Sequence, residues 1–145
     1  MKATILTVSL IILCSSLNSA NAQEQMQAKK YENPQWKIVE LVEFKHDKMD
    51  RVREIIKNYF IKAAEKAGSR QRSTILELET GEWDMMLVWD MKEGLEEMNW
   101  QTRPDDIKWM NALNEIAGGT DKATAILDEW ASLVVHSTKY LCRQF

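Results

Sequence analysis

The sequence contains little of what builds disulfides, metal centres and covalent active sites. Its 145 residues include only two cysteines and two histidines. It has no glycine-rich phosphate loop, no nucleophile motif, no cofactor fingerprint and no closely spaced set of ligands that would hold zinc. We therefore expect neither a metal nor a cofactor, and no motif identifies a reaction.

The first 22 residues have the pattern of a secretory signal peptide. Lys2 supplies a positive start, residues 5–13 are almost wholly apolar, and residues 20–22 form an Ala-x-Ala cleavage site. The sequence thus predicts export, either to the periplasm or as a secreted protein. Lipidation at Cys14 is an alternative, but the large Leu13 stands where such sites carry a small residue.

The chain left after cleavage lacks the features of several further protein classes. The apolar stretch is too short for the roughly 20 residues of a membrane span, so no membrane-spanning segment is expected once the signal peptide is removed. Loss of Lys2 takes the formal net charge from −3 to −4, which disfavours nucleic acid as a partner. Cys142 is then the single cysteine, so no intrachain disulfide can form.

Large apolar side chains are plentiful by contrast. All six tryptophans follow the signal peptide, and so much surface must be buried in a core, a ligand cavity or a subunit interface. Residues 23–35 are polar and predict a flexible lead, whereas residues 36–145 have the length of one domain.

The apolar pattern predicts a strand, a helix and a hairpin in the first half of this domain. Residues 36–44 are β-branched and aromatic with apolar groups on both faces, which favours a strand covered on two sides. Asp47 is then a candidate N-cap for a helix that ends at Gly68. Residues 73–79 and 83–91 follow as two antiparallel strands joined by a short glycine-containing turn.

The second half predicts helices followed by a last strand. Residues 92–100 form a weak, charged helix, and a stronger one begins near Pro104 and ends at Gly118-Gly119. A third starts near Thr120, and residues 133–142 return to strand composition. The element order is β-α-β-β-α-α-β, the α+β arrangement of ferredoxin-like folds with a four-stranded antiparallel sheet.

This order, the strands apolar on both faces and the segment from Trp130 to Ser137 resemble the dimeric α+β barrel superfamily, which includes antibiotic-monooxygenase-like and NIPSNAP-type domains. The resemblance implies a homodimer in which two sheets close face to face into a barrel. It also implies that cofactor-free oxygenase chemistry in an aromatic-walled cavity is compatible with the absence of a motif.

Two polar residues on apolar strands are the candidate catalytic groups. Glu40 alternates with Trp36 and other apolar residues, where burial would favour its protonated form and suit proton transfer. His136 lies on the last strand, where it could shuttle protons into a cavity. Trp36, Trp89 and Tyr140 are the candidate ligand-binding walls. For each candidate the alternative is a structural role: an ion pair at a sheet edge for Glu40, a structural hydrogen bond for His136 and core packing for the tryptophans.

Two functional hypotheses follow. In the first, the exported homodimer encloses an apolar cavity for a small apolar or aromatic molecule, with or without cofactor-free proton-transfer or oxygenase activity. In the second, the protein is a non-catalytic structural or interaction domain whose barrel is filled by its own side chains. Cavity volume separates them, because a ligand site needs roughly 300 Å³ or more.

Overall fold

The central strand β1 (Gln35–Phe44) organises the sheet in the computed structural model. It pairs antiparallel with β3 (Met85–Met91) on one side and with β4 (Val134–Gln144) on the other. The edge strand β2 (Ser73–Glu77) pairs antiparallel with β3, which gives the order β2-β3-β1-β4. The predicted four-stranded antiparallel sheet and the ferredoxin-like topology are confirmed.

The structure describes residues 27–69 and 73–145. Two compact units are distinguished, Met1–Lys30 and Tyr31–Phe145. In the first unit only residues 27–30 are described, and they are exposed and without regular structure. The predicted signal peptide and the start of the predicted lead lie outside the described residues. No helix within the described ranges is long and apolar enough to cross a membrane.

The two faces of the sheet have different surroundings. On β1, the even-numbered positions end in the buried Val42 and Phe44, which pack against the helices. The odd-numbered positions, among them Val39 and Leu41, face the other way. We call these the helix-covered face and the open face. The alternation of side chains along a strand assigns every residue of the sheet to one of them.

The first helical stretch runs from Met49 to Lys66 in three parts. α1 (Met49–Ile55) and α2 (Ile61–Lys66) flank a π-helical segment (Ile56–Phe60), where the Ile61 N–H donates to the Ile56 carbonyl five residues back. The prediction that Asp47 is the N-cap was wrong: Lys48 occupies that position. Asp47 has a φ of 60°, a left-handed conformation that acidic residues tolerate in turns.

The remaining helices lie between β3 and β4. The weak helix predicted over residues 92–100 is a short 3₁₀ helix (Gly94–Asn99). α3 (Pro104–Ala117) follows with proline in its first turn, and α4 (Thr120–Leu133) leads directly into β4. Gly118 ends α3 with a φ of 80°, a conformation that glycine adopts without steric cost.

The connection between β2 and β3 is longer than the short turn that the sequence predicts. β2 ends at Glu77 and β3 begins at Met85. Asp84 lies just before β3: its backbone N–H donates to the Val42 carbonyl, its carbonyl accepts from the Leu78 N–H at 2.8 Å, and its carboxylate accepts from the Phe44 N–H at 2.7 Å. These bonds hold Asp84 against the end of β1 and beside the end of β2.

The core is formed in two clusters on the helical side of the sheet. The larger joins the helix-covered face to α1, the π segment and α4, and includes Val42, Phe44, Val52, Ile55, Ile56, Met85, Leu87, Ile126 and Leu133. The smaller joins the helices to each other through Ala63, Ala112, Leu113 and Ala123. The small alanines let α2, α3 and α4 approach closely, which fixes the helical layer over the sheet.

The two ends of the second unit meet beside β4. The Arg143 guanidinium lies 3.3 Å from the centre of the Tyr31 ring and 4.7 Å from the centre of the Phe145 ring. Such cation–π contacts attach the segment before β1 to the segment after β4.

Candidate functional site

A pocket of about 520 Å³ lies between the helix-covered face and the helices. Its floor comes from the strands, mainly through Glu40, Ile75, Leu87 and Trp89. The wall is formed by residues of the helical layer, which include Ile56, Phe60, Ile61, Ala64, Trp109, Leu127 and Trp130. The volume falls within the range of roughly 300 to 1,000 Å³ that is usual for small-molecule sites.

Edge-to-face aromatic contacts fix the wall of the pocket. The Phe60 ring lies 5.4 Å from the Trp109 ring and 5.0 Å from the Trp130 ring, with interplanar angles of 66° and 62°. The Trp109 Nε1–H also donates to the Phe60 carbonyl at 3.4 Å. Phe44 packs against the Trp130 ring from the sheet at 5.0 Å. Because each ring is held by another, the wall is formed before any ligand binds.

The π-helical segment contributes directly to this wall. Ile56 and Phe60 are its first and last residues, and Ile61 follows it. A π segment contains more residues per turn than an α-helix and is often found at functional sites. Here it widens the first helix at the level where the pocket lies.

Glu40 places a carboxylate in this otherwise apolar part of the sheet. Its side chain is only 15% exposed, and its Oε2 lies 3.5 Å from the Nζ of Lys139 on the neighbouring strand β4. The Lys139 side chain is 66% exposed and extends toward solvent. The carboxylate therefore has a long, solvent-facing ion pair on one side and the pocket on the other.

Ion pairs at the start of α3 hold the charged part of the pocket lining. Arg103 donates to Asp106 through Nε at 3.0 Å and through Nη2 at 2.7 Å, and to Glu97 through Nη1 at 3.3 Å. The hydrogen bonds from Arg103 to Asp106 are the main cause of the raised pKa of Arg103. These bonds join the 3₁₀ helix to the start of α3, so these two parts of the pocket lining are fixed relative to each other.

His136 lies on the open face and not at the pocket. In the register of β1 and β4, Glu40 is opposite Lys139, whereas His136 is opposite Glu43. His136 is exposed, its ring stacks on Trp83 at 5.4 Å, and its Nε2 lies 3.2 Å from the Thr138 hydroxyl. The predicted polar pair of Glu40 and His136 is thus wrong as a pair, because the sheet separates the two side chains.

The three predicted wall residues are divided in the same way. Trp89 lines the pocket beside Glu40. Trp36 is on the same face, but it lies at the end of β1 near Gly94, outside the pocket lining. Tyr140 is on the open face opposite Val39 and is 47% exposed. Of the five predicted site residues, the structure brings together Glu40 and Trp89, and ligand binding by either stays a prediction.

The helical residues of the wall were not among the predicted site residues. Phe60 and Trp130 belong to apolar helical stripes, and such stripes predict core packing equally well. A signal that could have identified them is the aromatic content itself, because four of the six tryptophans line this pocket. Within residues 27–69 and 73–145, no group of three histidine, cysteine or acidic side chains is arranged to hold a metal ion.

No protein-family profile matches the sequence, and no curated protein matches it significantly. The fold, however, is similar to that of two solved NIPSNAP family proteins from Agrobacterium tumefaciens strain C58. One has a TM-score of 0.51 and 12% identity, over 74% of this chain and 90% of that chain. The other, of unknown function, has a TM-score of 0.51 and 8% identity, over 79% and 91%. Identities this low show the fold alone, and at that level they confirm the predicted likeness to the α+β fold of NIPSNAP-type domains.

Proposed function

We propose that the protein binds a small organic molecule with an aromatic or apolar body in the pocket between the helix-covered face and the helices. The observation that carries the proposal is a pocket of about 520 Å³ whose aromatic wall is already in place and whose floor contains one nearly buried carboxylate. Aromatic and aliphatic side chains next to convergent polar groups are typical of ligand sites.

The location differs from the predicted one. The sequence hypothesis placed the ligand inside a barrel formed by two sheets, whereas this pocket lies within a single chain on the helical side of its sheet. Its volume favours ligand binding over an interaction domain filled by its own side chains.

The separation of Glu40 from His136 bears on catalysis. Acid–base chemistry that needs both residues at one substrate is not supported, because they lie on opposite faces of the sheet. Glu40 lines the pocket and is the titratable group from the predicted pair that remains available to a ligand there. The proposal is therefore one of binding.

Export and dimerisation complete the proposed function. The signal peptide pattern of residues 1–22 supports export to the periplasm or the extracellular space. The open face supports a homodimer: Leu76 is 47% exposed, and the apolar Val39, Leu41 and Val88 are covered on that side by none of the described helices. A second sheet is the natural cover for such a face.

Filling the pocket tests the binding proposal. Ile61→Trp places a larger ring at a half-buried wall position, and Lys62→Trp adds the same ring at the next, exposed position of α2. We expect Ile61→Trp to weaken binding of the neutral fluorescent probe N-phenyl-1-naphthylamine by about tenfold or more, equivalent to about 1.4 kcal/mol. Lys62→Trp should bind the probe like the parent.

Circular dichroism melting of both variants shows whether the fold is intact. Equal probe binding by the parent and by a folded Ile61→Trp variant would place the probe elsewhere and contradict the proposal. Absence of probe binding by the parent protein would contradict it as well.

A further inference from the structure

We infer that the pocket selects an organic cation, an ammonium group carried on an aromatic or alkyl body, which binds Glu40 and the surrounding indole rings. This inference rests on the proposed function and adds the chemical class of the ligand. Three features of the pocket lead to it: the balance of charge in its lining, the long ion pair of the Glu40 carboxylate and the number of tryptophans in the lining.

The pocket lining carries more negative than positive charge. Six carboxylates and three basic side chains line it, and five of the carboxylates remain when Asp90, which is paired with Lys37 on the open face, is set aside. Two of the bases are already paired with acids of the same lining: Arg103 with Asp106 and Glu97, and Lys108 with Asp105 at 3.4 Å. The third, Lys92, is exposed to solvent. An anionic ligand would therefore meet a negative field, whereas a cationic ligand would be attracted into the pocket.

Glu40 is incompletely satisfied by its protein partner. At 3.5 Å, the Lys139 Nζ is farther from the carboxylate than the 2.7 to 2.9 Å of a charge-assisted hydrogen bond. Lys139 is also two-thirds exposed, so it can return to water at little cost. A ligand ammonium inside the pocket can approach the carboxylate closely, and it compensates the cost of keeping a charge 85% removed from solvent.

The aromatic lining favours the same ligand. Trp89, Trp100, Trp109 and Trp130 all line the pocket. Indole is the aromatic side chain that attracts cations most strongly, and the attraction grows when the cation is desolvated. A neutral apolar molecule would gain only the contact area, and it would leave the Glu40 carboxylate without a close partner.

Three probes with the same phenyl ring separate the ligand classes. Phenethylamine is a cation at pH 7, 2-phenylethanol is its neutral counterpart, and 3-phenylpropanoate is an anion. Their affinities for the purified protein are measured by calorimetry, at low ionic strength so that screening does not mask the difference. We expect phenethylamine to bind at least about tenfold more tightly than 2-phenylethanol, and 3-phenylpropanoate to bind most weakly.

Glu40→Gln tests the role of the carboxylate. The variant should lose the tenfold preference for phenethylamine and keep its affinity for 2-phenylethanol. Glu40→Asp retains the charge and should retain part of the preference. Glu43→Gln is the matched control, because Glu43 lies on the same strand but on the open face, and it should leave all three affinities unchanged. Melting temperatures establish that each variant is folded.

Several outcomes would overturn the inference. Equal affinities of the parent for all three probes, or a preference for 3-phenylpropanoate, would reject a cation-selective pocket and leave the proposed binding function intact. A preference for phenethylamine that persists in Glu40→Gln would also reject the assigned role of Glu40. If none of the probes binds and N-phenyl-1-naphthylamine also fails to bind, both the inference and the proposed function fall.

Discussion

At the residue scale, a hydrogen bond to the Asp84 carboxylate helps to shape the end of β1. The register between β1 and β4 shifts at Phe44. The Phe44 N–H donates to the Asp84 carboxylate and not to a carbonyl of a neighbouring strand. A half-buried N–H without an acceptor is costly. Asp84 therefore makes it possible for β1 to end in a bulge while Phe44 stays packed against Trp130.

Replacing Asp84 should expose this dependence. Asp84→Ala leaves the Phe44 N–H without its acceptor, and we expect a loss of about 1 to 3 kcal/mol in the free energy of unfolding. Asp84→Asn retains an amide oxygen as acceptor and should lose less. Urea denaturation gives both values. Glu82→Ala is the control in the same connection, since Glu82 is exposed, and should change stability by less than about 0.5 kcal/mol. A similar loss in both alanine variants would contradict this role for Asp84.

The sequence predicted which face of β1 each residue occupies, but it did not predict which residues of different strands lie side by side. Strict alternation along β1 correctly placed Glu40 on the same face as Val42 and Phe44. It could not relate Glu40 to His136, because that relation depends on the register between two strands far apart in the chain. A shift of one residue in that register moves His136 to the opposite face.

At the element scale, α1 is tied to the rest of the domain by two arginines. Arg51 donates through Nε and Nη2 to both oxygens of Glu129 on α4, each at 2.7 Å. Arg53 pairs with Glu77 of β2. These bonds hold the pKa of Glu129 and that of Glu77 below their ordinary value of 4.5, mainly through the side-chain hydrogen bonds from arginine.

The lowered pKa of Glu129 predicts a pH dependence. A carboxylate whose pKa is lower in the folded state contributes stability above pH 4.5, and this contribution is lost as the pH falls through the folded-state value. Glu129→Gln should therefore make stability depend less steeply on pH below about 4.5. Urea midpoints measured from pH 7 to pH 3 test this.

Thr124→Ala is the control for the Glu129 experiment. It lies on the exposed side of α4 and does not titrate, so it should shift the pH curve without changing its slope. A slope that is the same in Glu129→Gln and in the parent would show that the Arg51 pair makes no net contribution.

The first helical stretch shows what an apolar pattern can and cannot predict. Apolar residues at three- and four-residue steps correctly predicted that the segment from Met49 onward is helical and amphipathic. They did not predict the π segment (Ile56–Phe60), because the buried side of the helix stays apolar whether a turn contains four or five residues. Ile56 and Phe60, the two ends of that segment, line the pocket.

At the scale of the whole molecule, the topology was predictable and the pocket was not. The order of elements is enough to favour the ferredoxin-like sheet, since short antiparallel connections and a split βαβ unit leave few alternatives. The pocket arises from the packing of Phe60, Trp109 and Trp130 on three separate helical segments, and their separation in sequence hides that arrangement.

The open face leads to a prediction about assembly. Tyr140 and Leu141 are neighbours on β4 with nearly equal exposure, 47% and 48%, but Tyr140 is on the open face. If two open faces form the dimer, Tyr140→Lys places a charge in the interface, and the dimer should dissociate. Leu141→Lys should leave the dimer intact. Sedimentation equilibrium at micromolar concentration distinguishes the two variants.

A stable monomer in the parent protein would reject the proposed dimer. Equal association of the Tyr140→Lys variant and the parent would show that an interface exists elsewhere on the surface.

The stacking of Tyr31, Arg143 and Phe145 has a consequence for how the chain can be rearranged. Because Tyr31 and Phe145 both lie against the Arg143 guanidinium, a short flexible linker can join Phe145 to Tyr31. New ends can then be opened at the exposed Thr80-Gly81 turn between β2 and β3. Such a circular permutant should fold, since ends that lie close together at the surface tolerate this operation. It would also place β1, an inner strand of the sheet, in the interior of the sequence and not near its start.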